Sequence, residues 1–213
     1  MIDGDISKYE KMKPIVLESS DKLGPGGDVQ VKGLWTDKND LSVRMYVAWD
    51  DNNFYFAGTV TDDVFLQRNT GASIWKGDSI QLAFDTMNDA LAPDESVKAG
   101  FNGNDHQFGI ALTTNGNECY CWLANGIEIK KGEGGRKFPL AIRKGNGAIT
   151  YELAIPWKEL APLLPKAGKT FRFNFIVWDN DREDEREASY WMGLTPGIAG
   201  GQDPSAYRVF VLE

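Results

Sequence analysis

The stretch WKGDSIQLAFD, from Trp75 to Asp85, decides the fold. Ile80, Leu82 and Phe84 alternate with Ser79, Gln81 and Ala83, the period of two that a strand needs when one face meets a core and the other meets solvent. This predicts a half-buried strand with a small, polar outer face. Gly71 and Gly77 bracket Trp75, whose apolar run is too short to be core by itself, so the indole is expected on the connection leading into the strand. At the rim of a polar strand face, such a ring is a platform for a flat ligand.

The same alternation extends in both directions. Upstream, SVRMYVAWD (42–50) and FYFAGTV (54–60) are joined by Asp51, Asn52 and Asn53, residues that tolerate turn geometry, and so predict a hairpin. Ile15, Val16 and Leu17 form an entry segment, and GPGGD (24–28) punctuates the chain after it. Downstream, residues 86–104 carry Asp, Asn, Pro and Gly without a period, the mark of a surface excursion. Alternation resumes at HQFGIALT (106–113), NECYCWLA (117–124), IEIK (127–130), FPLAIR (138–143) and AITYELAI (148–155). It closes with FRFNFIVWD (171–179), SYWMGL (189–194) and YRVFVLE (207–213). Short strands at this spacing predict an all-β fold, an antiparallel β-sandwich of jelly-roll type. PWKELAPLL (156–164), with Pro156 at its first position and Pro165 beyond it, is the one helical signal, enough for a turn or two. No repeat or linker divides the chain, so residues 1–213 are expected to form one domain.

Composition bounds the partners. At 213 residues, 42% of them apolar, the chain can bury roughly 70% of the surface its unfolded form exposes. The 23 basic and 31 acidic residues leave a net charge of -8, which argues against nucleic acid and anionic membranes, both of which need a basic footprint. Nothing approaches the ~18 apolar residues of a membrane span, and MIDGDISKYE lacks the basic-then-apolar pattern of an export signal. A soluble chain is expected. Cys119 and Cys121 share a strand face but lie too far apart along it for easy disulfide closure, and with the lone His106 they form no zinc-type spacing. Both are expected to be reduced and inert.

Register then sorts the candidate site residues. Phe171, Phe173, Phe175 and Val177 form a core set, which puts Arg172, Asn174, Ile176 and Trp178 on the opposite face. Phe108, Ile110 and Leu112 likewise leave Gln107, Gly109 and Ala111 outside. These outward faces, with Ser79, Gln81 and Ala83, are expected to form one shallow surface. Its floor is small, its amides come from Gln81, Gln107 and Asn174, and Trp75 and Trp178 flank it. Pyranose rings present apolar C–H faces to aromatic rings, and their hydroxyls need the paired donors and acceptors of Gln and Asn. The expected ligand is therefore a sugar.

Five segments carry a family resemblance. IDGDISKY (2–9), VAWDDNNFYFAGTVTDD (47–63), WKGDSIQLAFD, YELAIPWKEL (151–160) and the tail VWDNDREDER (177–186) with DPSAYRVF (203–210) resemble, in order and over nearly the whole chain, family 9 carbohydrate-binding modules. The resemblance implies a β-sandwich found in extracellular xylan- and cellulose-degrading enzymes and related bacterial proteins. It further implies binding of polysaccharide or oligosaccharide of plant or marine type, an extracellular or periplasmic location, an attached glycoside hydrolase and structural calcium. Trp75 matches the family's sugar-stacking tryptophan, and Gln81 falls where a glutamate commonly bonds sugar hydroxyls. Gln107 is preferred over His106 as a further contact, because His106 shares the face of Phe108. One departure stands out: the last loop, LTPGIAGGQDP (194–204), lacks the aromatic that closes the family's clamp. Either Trp178 takes that part or the clamp is open.

Carboxylates gather at Asp62 with Asp63, at Asp78 with Asp85, and at Asp179, Asp181, Glu183 and Asp184. Calcium takes 6–8 oxygen ligands, so Asp62, Asp63, Asp78, Asp179 and Asp181 are the candidate ligands. The run at Asp179 lacks the glycine and distant glutamate of an EF-hand. Two other classes compete with a binding module. A glycosidase or lyase would need paired carboxylates across a cleft, but no acid stands in an apolar setting and no nucleophile motif is present. A haem or redox sandwich would need axial ligands, for which His106 and five Met residues give thin support.

Overall fold

The computed structural model describes residues 1–25, 33–93, 96, 100–124, 132, 138–145, 147–182 and 188–213. Two antiparallel sheets face one another. The first contains β1 (Ile15–Leu17), β3 (Leu41–Trp49), β4 (Asn53–Asp62), β8 (Leu140–Lys144) and β9 (Ala148–Pro156), in the order β1-β3-β4-β9-β8. The second contains β2 (Leu23–Pro25), β5 (Ser79–Asp85), β6 (Asp105–Thr113), β7 (Gly116–Leu123), β10 (Thr170–Asp179) and β11 (Tyr190–Gly193), in the order β2-β11-β10-β5-β6-β7. A last strand, β12 (Arg208–Val211), pairs with the first half of β10, on the flank that β11 occupies in its second half.

The expected hairpin is present, with Trp49 opposite Phe54. Between the sheets the core is rich in aromatic residues: Phe54, Phe56, Phe84, Phe108, Phe171, Phe173 and Phe175 are all at most 1% exposed. Phe54 meets Phe84 edge-on at 5.2 Å, and Phe56 meets Phe175 at 5.1 Å. Each such side chain contributes on the order of 2–3 kcal/mol by burial alone. Cys119 and Cys121 lie in the same core and form no disulfide.

Two expectations need correction. β5 is not half-buried, because every one of its residues is buried. It lies between β10 and β6, and its outer face is covered by a second apolar cluster that includes Ile176, Trp178, Trp191, Ile198 and Tyr207. The predicted punctuation begins with a strand: Leu23–Pro25 pairs with β11, and Pro25 is tolerated because β2 is an edge. The helical signal yields one 3-10 turn, Trp157–Leu160, while the longest 3-10 segment among the described residues is Gly71–Lys76, which sequence periodicity does not reveal. The predicted strand at 127–130, the end of the GPGGD loop, and Glu183 and Asp184 lie outside the described residues. Among the described residues, no helix is long and apolar enough to cross a membrane.

Candidate functional site

The outer face of the second sheet carries a cavity of about 680 Å³ whose lining includes Trp75, Trp178, Gln81 and Gln107. Strand pairing explains the convergence. Gln81 lies opposite Gly109 of β6 and Ile176 of β10, Ala83 lies opposite Gln107, and Trp178 lies opposite Ser79. Trp75 arrives from the 3-10 segment Gly71–Lys76 and sets its ring centroid 5.8 Å from that of Trp178, at 55° between planes.

That segment is fastened at both ends. Gly71 takes a positive φ of 59°, and its N–H donates to Glu118 Oε1 at 2.6 Å. At the other end, Gln67 Nε2 donates to the carbonyls of Ile74 at 2.7 Å and Asp78 at 3.1 Å, and Ile74 is fully buried. Trp75 is left half-buried on an anchored support.

Two tryptophans absent from the sequence expectations, Trp122 of β7 and Trp191 of β11, also line it, with Phe101, Pro25 and Leu123. Trp191 lies directly across from Trp178. Both rings rest on glycines. A Cβ at Gly109 would come within 2.4 Å of the Trp122 ring, and one at Gly24 within 2.0 Å of Trp191. The signal was available: in NECYCWLA, Trp122 alternates with the core thiols, and in SYWMGL, Trp191 alternates with Tyr190 and Met192. The last loop supplies Ile198, Ala199, Gly200 and Gln202 as a wall without an aromatic ring. Trp178 and Trp191 are 5% and 8% exposed, and the Nε1 of each is buried without a hydrogen-bond partner.

Asn174 is a correction. It is fully buried, its Nδ2 donates to the carbonyls of Thr195 at 2.8 Å and Pro196 at 3.0 Å, and its Oδ1 accepts from Thr195 N–H at 3.1 Å. Both amide donors are consumed in tying down the last loop, so the residue shapes the wall from behind and does not line the cavity. His106 is in the core, with Nε2 at 2.9 Å from the Ala161 carbonyl and its ring stacked on Phe108 at 6.1 Å. Since a carbonyl only accepts, Nε2 carries the proton. Burial lowers the imidazole to about 4, which leaves it neutral, and its Nε2 is engaged by the Ala161 carbonyl in the core.

The acidic residues assemble beside the aromatic pair. One oxygen each from Asp62, Asp78 and Asp179 lie within 4.8 Å of one another, and the same holds for Asp40, Asp63 and Asp181. Asp40 adds to the carboxylates named from the sequence: it directly precedes β3, where the ladder that pairs Leu41 with Asp62 carries it beside Asp63, whose N–H donates to the Asp40 carbonyl at 3.3 Å, and its Oδ1 accepts the Tyr190 hydroxyl at 3.0 Å. Asp85 does not join Asp78. It stands at the far end of a seven-residue strand, roughly 20 Å away at the rise of a β-strand, where it caps the N–H groups of Met87, Asp89 and Ala90.

Both oxygens of Asp179, Oδ1 of Asp62 and Oδ1 of Asp181 are buried without a hydrogen-bond partner. Burial first, then the charge of Asp63, raises Asp62 to about 6. Burial, then Asp62 and Asp179, raises Asp78 well above the usual carboxylate range. Burial and Asp181 do the same to Asp179, and burial with Asp40 and Asp63 raises Asp181 to about 7. Orphaned carboxylate oxygens converging from loop and strand ends are the donor set that a hard divalent cation takes.

Comparison with known proteins agrees with this architecture. The sequence profile described as "Carbohydrate family 9 binding domain-like" matches residues 27–213. The fold resembles that of a family 9 carbohydrate-binding module from Caldicellulosiruptor kristjanssonii solved with glucose, at TM-score 0.71 and 14% identity, covering 100% of this chain and 91% of that one. In complex with cellotriose, the module gives TM-score 0.69 and 15% identity, covering 100% and 89%. A putative carbohydrate-binding protein from Bacteroides uniformis ATCC 8492 aligns at TM-score 0.51 and 10% identity, covering 90% and 86%. Endo-1,4-beta-xylanase A of Thermotoga neapolitana is 23% identical over 149 residues, which are 70% of this chain and 12% of that enzyme. The chain thus spans about an eighth of its curated relative. It belongs to carbohydrate-binding family 9 and is a carbohydrate-binding β-sandwich module.

Proposed function

We propose that the cavity holds an oligosaccharide or the exposed part of a polysaccharide, without turnover. One observation carries this reading: Trp75 and Trp178 stand 5.8 Å apart beside Gln81 and Gln107 in a solvent-open cavity. A pyranose face packs on the half-buried Trp75, while the two amides supply donors and acceptors to its hydroxyls. The described lining residues are aromatic, aliphatic and amide, a composition for holding a neutral ligand rather than for acid–base chemistry.

Glucose and cellotriose, bound by the Caldicellulosiruptor module, are the natural first probes, and the xylanase relative makes xylan-type oligomers the next. A shallow site of this kind has millimolar to micromolar affinity, roughly 4 to 8 kcal/mol. Its use is tethering: a glycoside hydrolase joined to it gains avidity of ~10²–10⁴ when both engage the same polymer. That role suits an extracellular or periplasmic setting.

We also assign calcium to the acidic cluster, with Asp62, Asp78 and Asp179 as inner ligands and Asp40, Asp63 and Asp181 adjoining. The cation would neutralise carboxylates that burial otherwise penalises and join the ends of β4, β5 and β10. A glycan array comparing wild type with Trp75→Ala tests the sugar reading. Signal on glucan or xylan oligomers that vanishes in the variant supports it, and equal signal in both removes it.

A further inference from the structure

The acidic cluster and the aromatic pair share their supports. Asp78 immediately precedes β5 and Asp179 ends β10, so the two stand next to each other just past the Trp178–Ser79 pair of the strand ladder. Trp75 is three residues before Asp78, and Trp178 is the residue before Asp179. The Asp78 carboxylate accepts the backbone N–H of Leu66 through Oδ2, and that of Asn180 at 2.8 Å through Oδ1. Each of these contacts leads to the ring support. Leu66 precedes Gln67, whose amide holds the carbonyl of Ile74, and Asn180 Nδ2 donates to the carbonyl of Lys76 at 3.3 Å. The two neighbours of Trp75 are thus tied, one through each side of Asp78, to the cluster.

We infer that cation binding at Asp62, Asp78 and Asp179 is energetically linked to sugar binding at Trp75 and Trp178, with Gln67 and Asn180 as the positioning residues that transmit it; this rests on the binding reading above. Without a cation, the oxygens of Asp62, Asp78 and Asp179 that lie within 4.8 Å of one another at the ends of β4, β5 and β10 have nothing to join them, and those of Asp179 and Asp62 Oδ1 stay buried without a hydrogen-bond partner. The relief is to spread those ends, and spreading moves the Ile74 and Lys76 anchors with them. A bound cation draws the ends together and fixes the angle between the rings. Linkage is reciprocal, so sugar must raise calcium affinity by the same factor that calcium raises sugar affinity.

The test uses calcium and cellotriose with the intact chain. Two indoles this close give an exciton couplet in circular dichroism, identified by its loss in Trp75→Phe. Chelation should shrink the couplet, calcium should restore it, and cellotriose affinity should fall within the 5- to 150-fold range of coupled sites when calcium is withdrawn. Gln67→Met, which keeps the side-chain volume and removes the amide, should still bind calcium by calorimetry but lose most of the couplet response. A couplet and a cellotriose affinity that both ignore calcium overturn the linkage and leave the sugar reading intact. A calcium-dependent couplet in a protein that binds no cellotriose upholds the transmission to the rings and counts against the sugar. Absence of calorimetric calcium binding overturns the inference outright.

Discussion

The ring of Trp75 stands 5.8 Å from that of Trp178, yet the two residues are held by different means. Trp178 belongs to a buried apolar cluster, whereas Trp75 is half-buried and packs against its edge. Alanine at the two positions should therefore separate binding from folding. Trp75→Ala is expected to lower oligosaccharide affinity at least ~10-fold, a loss of about 1.4 kcal/mol, with little change in Tm. Trp178→Ala should cost roughly 3–5 kcal/mol of stability as well, read by urea unfolding alongside calorimetry.

Gln81 and Asn174 make a second contrast. Gln81→Ala should weaken sugar binding several-fold and leave the unfolding midpoint near wild type. Asn174→Ala orphans the polar groups of the last loop at Thr195 and Pro196, which costs about 1–3 kcal/mol. It should accelerate proteolysis within that loop. Equal stability in the two variants would refute the division of roles.

Gly109 has no room for a side chain. A methyl group there would lie 2.4 Å from the Trp122 ring, so Gly109→Ala should displace that ring and break the 3.2 Å bond from its Nε1 to the Ala72 carbonyl. The expected readout is a red-shifted tryptophan emission together with reduced oligosaccharide affinity.

Calcium should stabilise the fold. At a free concentration 100 times its Kd, a cation bound only to the native state adds about 2.7 kcal/mol. Chelation should lower Tm accordingly, and Asp179→Asn should abolish the shift. A Tm indifferent to chelator would remove calcium from the cluster.

His106 predicts acid sensitivity of a defined form. Its folded value, about 4, lies below the ordinary 6.5 because burial disfavours the charged ring. The unfolded chain therefore takes up a proton first. The stability that the neutral imidazole contributes is present above pH 6.5, is lost as pH falls towards 4, and changes no further below that. The slope reaches about 1.4 kcal/mol per pH unit and the total roughly 3 kcal/mol. Unfolding free energies of wild type and His106→Gln from urea titrations, compared between pH 7 and 4, should change relative to one another by that amount.

Much of this was legible in the sequence, because period-two alternation fixes which side chains share a face. The phenylalanine stripe of β10, the outward Gln81 and Gln107, and the buried His106 all follow from it. What alternation cannot show is which remote segment lies over a face. Asn174 points outward as expected, but the loop at 195–196 descends on it and takes its amide. The same blindness applies to the 3-10 support of Trp75, whose apolar spacing matches no regular period. Trp122 and Trp191 were readable from their strands, but not that their rings would bound the same space.

The cavity is made of two kinds of wall. Trp178, Trp191 and Ile198 are part of an apolar cluster that closes the outside of β5, whereas Ala199, Gly200 and Gln202 form a half-buried to exposed rim of the last loop. Substitution on the first side carries a stability cost, and substitution on the second does not carry the same one. Natural drift and laboratory selection for new sugar preference should therefore accumulate in the loop, while the tryptophan side stays constant as a shared template among descendants of this sequence.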